Sequence, residues 1–277
     1  MKFSLLVVTT DRLYLVKRLF YSLVVQTCRD FEVVLVHGEA CTERAQALAQ
    51  KFAGQLAISH LIASPTRSLS KARNLALPLL AGEYVAFPDD DCVYEPETLA
   101  NVLNLFCYHP EIDMLLSGTT DLDDCKGVAA KSKIHRLNQY SLFGYSYSFV
   151  QFYKKACVDA VGVFDEQIGV GAETPWGSGE DTDYVLRAFQ AGFTVWHAPT
   201  VCVRHPVVNF SNPGLYAKAD AYAGGRMYLL RKHAMPLWFR LCNVVYPLTA
   251  LLREVPNLSK RLLGYRWRMF VSRLVNF

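Results

Sequence analysis

Asp89, Asp90 and Asp91 stand directly after the strand-like run Glu83–Phe87. Adjacent carboxylates repel one another, and a cation is the simplest way to hold three together. Hard divalent cations such as Mg²⁺ or Mn²⁺ take oxygen ligands and often share them with a diphosphate. A turn or helix cap also favours Asp, so the triplet alone leaves both readings open. A second acidic group lies in Gly177-Ser178-Gly179-Glu180-Asp181-Thr182-Asp183. Its glycines let backbone approach a ligand. Its acids open a helix, where the N-terminal dipole favours negative charge. A carboxylate held there can cap the helix or act as a general base toward a hydroxyl nucleophile.

Three further residues could serve such a site. Arg73, in Lys71-Ala72-Arg73-Asn74 near a helix start, could fork onto a diphosphate. His205, between the run Val201–Val203 and Pro206, could offer an imidazole to a metal. Trp176, beside Pro175, could stack on a sugar face or pack into the core.

The elements that must position these residues alternate in type. Phe3–Val8 reads as a buried strand that ends in the polar group Thr9-Thr10-Asp11-Arg12, and Phe31–Val36 reads as a second strand stopped by His37-Gly38. Ala57–Ile62 and Glu83–Phe87 read as a third and a fourth strand. Helical spacing separates them, at Leu15–Val24, at Thr42–Phe52 with Thr42 as N-cap, and at Ser70–Leu80. Four β-α repeats predict a largely parallel sheet with helices on both faces. Ligands of such sheets lie at the carboxyl ends of the strands, the edge that carries Thr9–Arg12 and Asp89–Asp91. Further on, Asp121–Arg136 is polar and reads as a loop. The alternation Tyr145, Tyr147, Phe149 predicts a strand, Glu180–Ala191 a helix, and Phe193–His197 and Val201–Val203 two short strands. From Tyr216 the chain reads as helical and basic.

The chain has 277 residues, 52% hydrophobic and 19% charged, a composition that excludes a disordered chain. Its net charge of +4 divides unevenly: residues 1–225 carry −5 and residues 226–277 carry +9, with Glu254 as the tail's one acid. Those tail charges are interleaved with Leu, Val, Tyr, Phe and Trp, which favours an anionic membrane surface over nucleic acid. The charge-free runs Leu241–Leu252, of 12 residues, and Leu137–Tyr153, of 17 with several polar residues, are not expected to span a bilayer. The eight cysteines form no C-x-x-C pair, and no signal peptide is expected, so the chain reads as cytoplasmic with free thiols.

Together these features resemble glycosyltransferase family 2, the inverting enzymes of the GT-A fold, over about residues 3–206. The matching text is Leu5–Arg12, Ser22–Gln26, Ser70–Asn74, Gly82–Asp91, Val163–Glu166 and Gly177–Ala191, in that order and at these spacings. The resemblance implies a Rossmann-like, mostly parallel α/β sheet flanked by helices. It implies a catalytic domain over 1–215, with a nucleotide-binding half at about 1–118 and an acceptor half at about 119–215. A helical, basic, amphipathic extension would follow over 216–277.

By the same resemblance, Thr9, Thr10, Arg12, Arg73, Asp89 and Asp90 would line the nucleotide-sugar site. Asp91 and His205 would hold Mn²⁺ or Mg²⁺. Asp181, with Glu180 beside it, would supply the catalytic base, and Trp176 and Gly179 would meet the acceptor. His37 stands where the family often has a base-reading Asp, so the donor could be a UDP-, dTDP- or GDP-sugar. The chain lacks the Q-x-x-R-W motif of processive synthases, which points to transfer of one sugar at a time.

The expected activity is inverting, metal-dependent transfer of a sugar to a hydroxyl of a glycan or lipid-linked acceptor. Surface polysaccharide biosynthesis at the cytoplasmic membrane face would use such an enzyme. A sugar-phosphate nucleotidylyltransferase ranks lower, because no glycine-rich loop follows the first strand. A non-catalytic membrane-bound scaffold of the same fold ranks lower because the acids at 89–91 and 180–181 are intact.

Overall fold

β1 (Phe3–Thr9) is buried along almost its whole length, as a strand covered by helices on both faces must be. In this computed structural model, which describes residues 1–63, 67–124, 133–207, 213–254 and 259–277, β1 lies near the middle of the main sheet. α1 (Leu13–Val24) leads to β2 (Phe31–His37), and α2 (Thr42–Phe52) leads to β3 (Ala57–Ile62). α3 (Leu69–Ala76) precedes β4 (Tyr84–Ala86). The order β3-β2-β1-β4 is parallel throughout. Register runs from Phe3 opposite Phe31 to Thr9 opposite His37, and Val8 bridges Asp89 just beyond β4. The acid triplet and the loop after β1 therefore leave the sheet at one edge.

The second half is mixed. β5 (Val93–Tyr94), α4 (Thr98–Tyr108) and β6 (Met114–Thr120) precede β7 (His135–Arg136), β8 (Gln151–Lys154) and α5 (Lys155–Val161). α6 (Glu180–Gln190) and β9 (Val195–Arg204) complete it. β8 inserts antiparallel between β4 and β6, whereas β6 and β9 run parallel. The central sheet flanked by helices is the expected GT-A arrangement.

Three local expectations are corrected. Residues 145–150 form no strand: short 3₁₀ turns occupy Ser141–Gly144 and Ser148–Val150, and the strand begins at Gln151. There the Ser148 backbone N–H and hydroxyl bond to carboxylates of the site and not to a ladder. The two short strands expected near 193–203 are one, β9, with a register shift opposite Ser117/Gly118 that absorbs Pro199. Thr42 is the first helical residue, not the cap, and its hydroxyl donates to the Glu39 carbonyl. Of the expected loop Asp121–Arg136, residues 125–132 lie outside the described residues. The seven described cysteines are free.

α7 (Pro213–Lys232), α8 (Leu237–Glu254) and α9 (Lys260–Val275) form the C-terminal extension, and they pack inward. Met227, Leu229, Leu230, Met235 and Val244 belong to the main core. Several basic residues of the tail are engaged by the protein itself. Lys232 pairs with Asp165 and Asp183, Arg268 pairs with Asp220, and Arg273 is buried. The Arg253 side chain lies outside the described residues. Val244 also faces inward. What remains outside is an apolar stripe on each of two helices: Leu237, Trp238, Leu241 and Val245 on α8, and Leu263, Trp267, Val271 and Leu274 on α9. Among the described residues no helix is long and apolar enough to cross a membrane.

Candidate functional site

The side chain of Asp90 points into the protein, 2% exposed, where Thr9 Oγ1 donates to it at 2.7 Å and Arg12 Nε at 3.1 Å. Arg12 also reaches Asp91 through Nη1 at 3.1 Å, and Arg18 donates to the Asp91 carbonyl at 2.6 Å. The loop after β1 is thus fastened to the loop after β4 by charge-assisted bonds, which are stronger than neutral ones. Thr10 is exposed beside them; its carbonyl lies so close to Gly38 that a Cβ there would meet it at 2.8 Å. His37 is fully buried, with its two ring nitrogens at the Gly38 carbonyl (3.0 Å) and His60 Nδ1 (3.3 Å).

With Asp90 turned inward, Asp89 and Asp91 face the opposite way, toward His205. His205 Nε2 lies 3.2 Å from Asp91 Oδ1 and 3.9 Å from Asp89 Oδ2. The ring stacks on Phe149 at 4.1 Å, and Nδ1 bonds the Pro206 carbonyl at 2.8 Å. That carbonyl can only accept, so Nδ1 carries a proton there; Nε2 donates to Asp91 when protonated, and when neutral it can offer its lone pair to a cation shared with the acids. One donor atom from each of the three residues lies within 4.8 Å of the others. Two carboxylates and an imidazole with its second nitrogen fixed form a donor set that fits Mn²⁺ or Mg²⁺. Burial resists the charge on Asp91, yet His205 and Arg12 hold it below the usual carboxylate range. Burial pushes Asp89 up to about 6, against the pull of Arg73.

Arg73 joins this group to the second acidic cluster. It is 2% exposed, with Nη1 2.7 Å from Asp181 Oδ1 and Nη2 3.7 Å from Asp89 Oδ1. Its guanidinium also lies over the rings of Phe87 and Phe164. The neighbours of Arg73 explain how a helix N-terminus comes to be buried here. Ser68 caps α3, Ser70 Oγ donates to the Ile168 carbonyl at 3.1 Å, and Asn74 exchanges two hydrogen bonds with the backbone of Phe164. Ser-Lys-Ala-Arg-Asn is therefore a clamp on the segment that leads to the glycine-rich loop.

Asp181 lies in the first turn of α6, capped by Gly179 at φ +107°. Its Oδ2 accepts from the Ser148 N–H at 3.3 Å, and Ser148 Oγ donates to Asp89 at 2.7 Å. Glu180 is buried under Gly169, where a Cβ would strike its carboxyl at 2.7 Å. Burial, aided by the charge of Asp181, pushes its pKa up. The loop before α6 rests on α7: Gly177 N–H bonds the Ala221 carbonyl, and a Cβ at Gly225 would lie 2.2 Å from the Ser178 carbonyl.

A cavity of about 410 Å³ opens beside Asp181, lined also by Gly179, Glu180 and Tyr147. Its size lies within the range of small-ligand sites. The structure brings Asp89, Asp91, His205, Arg73 and Asp181 into one connected group. It does not bring Trp176 into the cavity, because that ring is stacked on Tyr228 of α7 at 4.0 Å. Sequence reading missed Ser148, which touches both acidic clusters, because alternating aromatics around it imitate a strand.

The glycosyl transferase family 2 model matches residues 4–162. No curated protein matches the chain. Among solved structures, S. aureus TarS 1-349 in complex with UDP-GlcNAc is 17% identical at a TM-score of 0.61, covering 100% of this chain and 93% of that one. A longer S. aureus TarS chain is 19% identical at a TM-score of 0.61; the match covers 97% of this chain and 55% of TarS. The mannosyltransferase PcManGT from Pyrobaculum calidifontis, in complex with GDP-Man and Mn²⁺, is 16% identical at a TM-score of 0.67, covering 99% and 85%.

Proposed function

The chain belongs to glycosyl transferase family 2, and from that membership we propose that it is an inverting enzyme that moves one sugar from a nucleotide-sugar donor to an acceptor hydroxyl. The observation that carries this reading is the position of Arg73, paired to Asp181 and lying 3.7 Å from Asp89 of the metal-type triad. A leaving-group site and a base are thereby neighbours, as in-line displacement requires.

Asp181 takes the proton of the acceptor hydroxyl as its oxygen attacks the anomeric carbon. The bond from that carbon to the diphosphate breaks, and its electron pair leaves with the nucleotide. A divalent cation held by Asp89, Asp91 and His205 would offset charge on the departing diphosphate. Arg73 lies 3.7 Å from Asp89 as well as against Asp181, and a diphosphate that draws it away releases Asp181 for proton transfer. Asp90 serves the donor site through Thr9 and Arg12. The nucleotides in TarS and PcManGT support a UDP- or GDP-sugar as donor.

The acceptor is a glycan or lipid-linked glycan, and the enzyme attaches peripherally to an anionic cytoplasmic membrane face. The exposed apolar stripes of α8 and α9 support that attachment, with aromatic Trp238 and Trp267 of the kind that settle at headgroup level.

A thermal-shift panel of nucleotide sugars, run with and without Mn²⁺, tests the reading by mass action. A donor that raises Tm only with metal, and that is then hydrolysed or transferred, supports it. Metal-independent behaviour of every nucleotide sugar refutes it.

A further inference from the structure

Arg226 of α7 and Arg273 of α9 line the cavity beside Asp181, and neither is paired with a carboxylate among the described residues. Arg273 is 7% exposed; Nη1 donates to the Asn243 carbonyl at 2.6 Å, and its buried Nε has no partner. The Arg226 guanidinium lies 4.9 Å from the Phe143 ring centroid. Other cations of the same helices are matched: Lys232 with Asp165 and Asp183, Arg268 with Asp220. A charged group withdrawn from water normally has such a partner. Burial and like-charge repulsion from Arg226, which lines the same cavity, both pull Arg273 down, to about 9. An anion between them would relieve that repulsion.

The remaining wall matches a sugar. Tyr147, Tyr222 and Tyr265 line it together with Asp181. Glu180 is also in the wall, and burial there favours its protonated form.

We propose that Arg226 and Arg273 form an oxyanion subsite for the acceptor, so that the sugar acceptor is acidic, carrying a phosphate or a carboxylate that docks there while a neighbouring hydroxyl meets Asp181. This rests on the sugar-transfer reading above. Paired guanidinium groups suit both oxyanions through forked hydrogen bonds.

Calorimetric titration of the full chain with glucose 6-phosphate, glucuronate and neutral glucose tests the subsite. The acidic sugars should bind at about millimolar Kd, and glucose at least about tenfold more weakly. Whichever acid binds more tightly names the oxyanion. Arg226→Gln and Arg273→Gln should each weaken the acidic sugar by about tenfold or more. Arg226→Lys, which keeps the charge but not the fork, should lose less affinity than Arg226→Gln. Arg273 is buried and its variant could unfold, so Tm is recorded, and the Arg226→Gln result by itself decides for or against the subsite. Equal affinity for charged and neutral sugars overturns the proposal, as does unchanged affinity in a folded Arg226→Gln. Binding confined to phosphatidylglycerol vesicles also overturns it, assigning the arginines to lipid headgroups. Titration of the wild type with UDP and GDP plus Mn²⁺ separates the two readings. Nucleotide binding without acidic-sugar preference removes only the subsite. Acidic-sugar binding without nucleotide binding leaves the oxyanion site standing and removes the transfer reading.

Discussion

Arg73 and Asp181 are 108 residues apart in sequence and meet at 2.7 Å, with the arginine 2% exposed. Breaking a buried pair from one side leaves the other charge unpaired. Arg73→Met should therefore cost about 3 kcal/mol, or roughly 5–10 °C in Tm. Asp181→Asn in the same chain should recover part of that loss, because the two residues share one interaction. Chemical denaturation of the four proteins of the cycle measures it. Strict additivity of the two substitutions would show that they do not interact.

Asp181→Asn should lower kcat by about 10²–10⁴-fold with little change in donor affinity, since the base acts on the acceptor hydroxyl. Steady-state rates beside donor Kd from titration distinguish this from a capping role, which would alter Tm and leave kcat of the folded fraction intact.

Glu180→Gln should behave differently from its neighbour's variant. Glu180 is raised in the folded protein, so the native state holds a proton that the unfolded chain releases above the ordinary carboxylate range. Wild-type stability then falls as pH rises from there through neutrality, by linkage. The Gln variant lacks that loss. Its Tm advantage over wild type should grow from pH 4.5 to pH 7.5 (about the span set by the ordinary Glu value), which scanning calorimetry at several pH values will read. A constant difference across that range contradicts the assignment.

Asp183 has the opposite sign. Burial opposes its charge, but His233, Lys232 and Arg187 outweigh burial and hold its carboxyl at about 2. The stabilisation is complete above the ordinary Asp value and is lost as pH falls from about 4 to 2. It amounts to about 2 kcal/mol. Asp183→Asn should show a lower Tm at pH 7 and a shallower acid transition in circular dichroism.

Asp91→Asn should remove Mn²⁺-dependent nucleotide binding while the fold survives. His205→Ala should weaken it by roughly 10–100-fold or more. Calorimetric titration of UDP and GDP with and without Mn²⁺ reports both. Full metal dependence in Asp91→Asn would move the metal elsewhere.

Membrane attachment is best tested on the full chain, because removal of residues 226–277 would strip Met227, Leu229 and Leu230 from the core. Trp238→Gln with Trp267→Gln leaves that packing in place. Wild type should float with anionic vesicles, less so at high salt, and the double variant should float far less. Equal flotation of both would remove the two stripes from the contact.

Much of the donor side is legible in sequence because its geometry is local. A buried parallel strand needs a continuous apolar run, and the run must end at a loop. Phe3–Thr9 and the residues before Asp89 show both, and parallel register carries Thr9, His37 and Asp89 to one edge. The ordered motifs likewise carry the family. What the two acidic clusters do to each other is not local. Arg73, Ser148 and Asp181 lie on α3, a 3₁₀ turn and α6, and only the packing of those elements decides that they touch. The same is true of the tail. Its sequence shows apolar and basic residues in alternation, a pattern equally suited to a lipid surface or a protein core. Tertiary structure divides them: Val244 and Arg273 face inward, Trp238 and Trp267 outward. A helix buries whichever face its neighbours cover, and composition does not record which face that is.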